Sequence, residues 1–130
     1  MTKTAFHVLR IGTAITFLWI GFLIFQQPEA WGGYMSPWVV DLLPMSVEDT
    51  MRSTAILDIV IGFFLLINSF VWLAALVGTI HLIMVLVVSG ITDITVRDIG
   101  ILAGTIALMV ETMPEKFIIN LKSEKTNENI

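Results

Sequence analysis

Residues 54–90 read TAILDIVIGFFLLINSFVWLAALVGTIHLIMVLVVSG, two apolar runs broken in the middle by Asn68-Ser69. An apolar helix of about 20 residues matches the hydrocarbon thickness of a bilayer, where the backbone finds hydrogen-bond partners only within its own helix. The stretch is therefore expected to form a transmembrane helical hairpin. Each arm carries one ionisable side chain, Asp58 in the first and His81 in the second. With the bend at Ser69-Phe70-Val71 and a rise of about 1.5 Å per residue, their depths differ by only about 3 Å. The two groups can meet.

The rest of the chain shares this character. Of its 130 residues, 56% are hydrophobic and 14% charged, whereas soluble domains carry about 25% charge. That length allows one compact bundle without a separate catalytic domain. The absence of cysteine excludes disulfides, thiolate metal sites and a CxxC relay within the chain. A net charge of -4 without a basic patch excludes nucleic acid as a partner.

Upstream, IGTAITFLWIGFLIF (11–25) is uncharged, and Gln26-Gln27-Pro28 ends it. A span is expected over about 6–26, with Arg10 snorkelling toward headgroups. No A-x-A cleavage site follows, so the helix reads as retained rather than as a signal peptide. The connection 28–51 carries Trp31, Tyr34 and Trp38, side chains that favour a membrane interface. Within it, SPWVVDLLP suits a short interfacial helix, with Ser36 as N-cap and Pro37 in the first turn. Downstream, Arg97-Asp98 opens a fourth helix that ends near Pro114, and Gly100 and Gly104 form a small-residue stripe with Ala107. The expected fold is all-α, a polytopic four-helix membrane bundle in one domain (1–114). Its spans fall at about 6–26, 53–69, 72–90 and 97–113, and a polar, fraying cytoplasmic tail follows at 115–130. Lys3, Arg10, Lys116, Lys122 and Lys125 lie on one side of such a bundle and only Arg52 and Arg97 on the other. The positive-inside rule then predicts a multi-pass protein of the cytoplasmic (inner) membrane, with both termini cytoplasmic.

With Arg10 in the first helix, TAILDIVIGFFLL in the second and VRDIGIL opening the fourth, residues 5–113 resemble the DoxX-like family of small membrane proteins. That resemblance implies a four-helix membrane bundle and an association with quinone-linked or thiol redox systems. It also implies that Arg10, Asp58, Arg97 and Asp98 occupy the family's polar positions. The lack of cysteine departs from any thiol-relay member.

A carboxylate in the middle of a membrane helix costs about 2.5–3.5 kcal/mol on insertion scales, so Asp58 needs a partner or a purpose. It serves either proton transfer or contact with a quinone head, or it locks the bundle through His81, Arg52 or Arg97. His81 has no second histidine or acid at the spacing of a helix-borne ligand pair, so no metal site is expected. Arg97 and Asp98 either anchor a helix end or complete an outward-facing polar site with Arg52. The leading expectation is an accessory subunit of a quinone-linked membrane redox system. The polar-site candidates are Asp58, His81, Arg97, Asp98, Arg52 and Arg10, and the partners are lipid and a redox subunit. No cofactor motif occurs in the chain, so electron carriage would belong to a quinone or to that subunit. Two other readings stay open: a homo-oligomer conducting protons or solutes through Asp58 and His81, and a purely structural membrane subunit. The sequence assigns no reaction.

Overall fold

The computed structural model describes residues 1–128, which form an all-α chain of seven helices: α1 Lys3–Gln26, α2 Pro28–Gly32, α3 Pro37–Val40, α4 Val47–Leu66, α5 Val71–Ser89, α6 Val96–Glu111 and α7 Glu115–Glu128. Local chemistry sets most of the boundaries. The Thr2 hydroxyl accepts from Ala5 N to start α1, and Ser46 accepts from Asp49 N to start α4. Prolines occupy the first turns of α2 and α3, where a missing N–H costs nothing. Asn68 and Phe70 take left-handed φ angles of 57° and 51° to make the tight turn between α4 and α5. Asparagine tolerates that conformation better than most side chains.

This is not the four-helix polytopic membrane bundle that hydropathy and the DoxX-like resemblance predict. There are seven helices, and most of their surface is exposed. Among the described residues only α1 and α5 are long and apolar enough to cross a membrane, and each buries just 33% of its most apolar stretch. The reason lies in the other two long helices. The 16 residues of α6 give about 24 Å of helix, short of a hydrocarbon core of about 30 Å. α4 opens with Glu48, Asp49 and Arg52, so its apolar part is confined to its C-terminal two thirds. The inner-membrane, multi-pass placement with cytoplasmic termini falls with the span count, because the charge rule assigns sides only to helices that cross.

Two glycines set the closest approach in the fold. A Cβ on Gly62 of α4 would lie 2.9 Å from both Ala14 O and Leu18 N of α1, and one on Gly21 of α1 would lie 2.9 Å from Ala55 O of α4. The two helices therefore run antiparallel with their backbones nearly touching, Gly62 beside Ala14 and Gly21 beside Ala55 and Asp58. α5 packs chiefly on α6, where the Thr79 hydroxyl donates to Thr105 Oγ1 at 3.0 Å and Thr105 donates to Leu102 O. The core lies where these four helices converge, around Phe17, Ile61, Ala75 and Leu108. The small-residue stripe on α6 is used only in part: Gly104 meets Leu9 and Thr13 of α1, whereas Gly100 faces open space. Gly100→Ala is accordingly expected to raise stability by up to about 1 kcal/mol through helix propensity alone, readable as a higher unfolding temperature.

Where a fraying tail is expected from the composition, residues 115–128 form α7, and the last two residues lie outside the described residues. Phe117 stacks on Trp72 with ring centroids 5.6 Å apart, which ties α7 to the start of α5.

Candidate functional site

Asp58 and His81 come together. Both are buried, and His81 Nε2 lies 3.0 Å from Asp58 Oδ1. Their positions follow from helix rise and from the tight turn at Asn68, which returns α5 alongside α4. A buried carboxylate is costly unless paired, and this imidazole supplies the partner.

The pair forms part of the wall of a cavity of about 700 Å³. Phe17 and Ile24 of α1, Leu57 of α4 and Leu82 and Val85 of α5 give it an apolar lining. Residues 31–45 close one side as a strap, on which the Trp31 and Tyr34 rings lie 6.2 Å apart. One backbone hydrogen bond, Ser36 N to Val88 O at 3.1 Å, fastens the strap to the C-terminal turn of α5. The 90–95 loop that follows α5 is knit together by Thr95, whose hydroxyl donates to Gly90 O and accepts from Thr92 N. That loop brings Arg97 and Asp98 to the cavity wall at the N-terminus of α6. Cavities of about 300–1,000 Å³ with an apolar lining and a few convergent polar groups are the usual form of small-molecule sites.

The remaining polar residues divide. Asp98 is half-buried and lines the same cavity as the pair. Arg97 is exposed and donates from Nε to Ile94 O at 3.2 Å; among the described residues it makes no ion pair with Asp58. Arg52 pairs with Glu48 across one helical turn at 2.7 Å, half-exposed and outside the cavity. Such a surface pair contributes little.

Arg10 does not snorkel. It is buried, and its Nη1 donates to Leu65 O at 2.6 Å and to Leu66 O at 2.8 Å. Both carbonyls lie in the last turn of α4, where the helix ladder ends and, among the described residues, Leu65 O otherwise accepts only from the turn, from Ile67 N and Asn68 N. A cation there also complements the helix dipole. Its other terminal nitrogen meets His7 Nδ1 at 3.2 Å. Arg10 is a cap on α4 and does not line the cavity. The hydroxyls of the cavity were missed from sequence. Thr16, Thr50, Ser53 and Thr95 all line it, yet an isolated Ser or Thr in an apolar run gives no signal of which face it occupies.

Among the described residues no group of three or more His, Cys, Asp or Glu side chains is placed to hold a metal ion. No family model matches the chain, and no curated protein or solved structure matches it either. The DoxX-like resemblance rested on short apolar stretches and the fold does not follow it, so Asp58, Asp98, Arg97 and Arg10 stand on their geometry alone.

Proposed function

We propose that the protein is a ligand-binding accessory subunit of a quinone-linked redox system, and that its cavity receives the ring of a quinone. The buried Asp58–His81 pair, set in the wall of an otherwise apolar cavity of about 700 Å³, is the observation that carries this reading. A quinone head needs a flat apolar slot with polar groups at its edge, and its tail needs an apolar exit. Electron transfer itself would belong to the quinone and to a partner subunit, since protein groups of this kind bind, orient and move protons. Lipid is the natural reservoir for such a ligand. Trp19 and Phe22 on α1 and Met84 and Val87 on α5 are all more than half exposed, an outward apolar display that suits contact with acyl chains.

The test is direct binding. A short-tailed benzoquinone added to the protein in detergent micelles should quench tryptophan fluorescence saturably, since Trp31 lines the cavity. Binding should disappear in an Asp58→Leu, His81→Leu double variant that still folds. Unchanged binding in that variant, or no saturable binding to the parent chain, would remove the proposal.

A further inference from the structure

Resting on the quinone reading, we infer that the cavity, with Asp58 ionised, selects the hydroxyl-bearing reduced ring, a hydroquinone, over the quinone itself. The argument is a count of donors and acceptors. In the pair, Oδ1 of Asp58 and Nε2 of His81 are engaged with each other. The other two atoms, Asp58 Oδ2 and His81 Nδ1, make no hydrogen bond among the described residues. Nor are they sealed from space: among the described residues the buried polar side-chain atoms that lack partners are Arg10 Nε and Trp72 Nε1. Both residues line the cavity, so these free atoms are available to a ligand.

The protons of the pair decide what it asks for. With one proton, held between Oδ1 and Nε2, both free atoms are acceptors. With two protons, the second sits either on Nδ1, which leaves Oδ2 an acceptor, or on Oδ2 itself, which makes it a donor. While Asp58 is ionised, Oδ2 needs an incoming donor. A hydroquinone hydroxyl supplies one. A quinone carbonyl has no proton to give and leaves Oδ2 desolvated and unpaired.

The hydroxyls around the pair add to this bias. Thr16, Thr50, Ser53 and Thr95 line the cavity, but each donates its proton to a backbone carbonyl: Gly12 O, Ser46 O, Asp49 O and Gly90 O respectively. Toward a ligand they present lone pairs. Donors remain on Thr54, Ser89, Trp31, Tyr34 and Arg97, and none of them is hydrogen-bonded to the pair. A carbonyl can find partners there, but Oδ2 of ionised Asp58 can be satisfied only by a ligand that donates.

The experiment compares three ligands of one shape: a decyl hydroquinone, its 1,4-dimethyl ether and the matching quinone, kept anaerobic and titrated calorimetrically into the full chain in detergent micelles. The hydroquinone should bind about tenfold or more tighter than either of the others, the usual scale for leaving a buried acceptor unpaired. In Asp58→Asn, whose amide both donates and accepts, the preference should shrink toward unity, with thermal unfolding reporting that the variant folds. Equal affinities, a preference for the quinone, or a dimethyl ether as tight as the hydroquinone would overturn the selectivity while leaving a quinone-binding cavity. Binding of none of the three would overturn both readings. If Asp58→Asn does not fold, the comparison on the parent chain decides alone.

Discussion

His81→Leu should lower stability by about 3–5 kcal/mol, the cost of leaving a buried charge without its partner. Asp58 would keep its place beneath α1, where its Cβ packs against Gly21, and would lose the contact made at 3.0 Å by His81 Nε2. Asp58→Leu alone should cost less, because a neutral imidazole tolerates burial better than a carboxylate does. The double variant should recover much of the loss, since two packed leucines in place of a buried ionic pair are commonly neutral or better. Thermal unfolding of the four proteins in the same detergent closes the cycle. A double variant as unstable as His81→Leu would show that the site cannot repack, and that the pair shapes the cavity as well as neutralising it. A stable double variant that no longer binds quinone would separate the site's function from its role in folding.

The meeting of these two residues was legible in the sequence because it depends on little. Helix rise fixes depth, and Asn68-Ser69 marks where the chain turns back. The number of membrane-length helices was not legible. The apolar end of α4 and the short α6 read as spans when hydropathy is followed across their polar ends, yet residue for residue they are too short or too charged. Arg10 shows a different limit. Composition places it near a helix end, but its role depends on the last carbonyls of α4, which are 55 and 56 residues away in sequence. Likewise α7 is polar enough to suggest disorder, and it takes the Phe117–Trp72 stack to fasten it to the rest. That four of the cavity's hydroxyls face a ligand as acceptors was invisible, since it arises from where their protons point and not from which residues are present.

The other large effect concerns the glycine contact that places Asp58. Gly62→Ala should destabilise by about 1–3 kcal/mol, as overpacking of a close interface does, even though alanine is the better helix former by about 1 kcal/mol. The added Cβ would meet Leu18 Cγ at 2.7 Å, which can swing away, but also Ala14 O and Leu18 N at 2.9 Å, which can move only if α1 moves. Asp58 is one turn from Gly62 on the same face of α4, and α1 also presses on it through Gly21. Separating α1 from α4 therefore loosens the packing that holds the carboxyl against His81. Ligand affinity should fall along with stability in Gly62→Ala, whereas Gly100→Ala, with open space around it, should leave affinity unchanged. Parallel melting curves and quinone titrations of the two variants make the comparison. If Gly62→Ala were as benign as Gly100→Ala, the approach of α1 to α4 would not be what positions the site, and the cavity would have to owe its geometry to the strap instead.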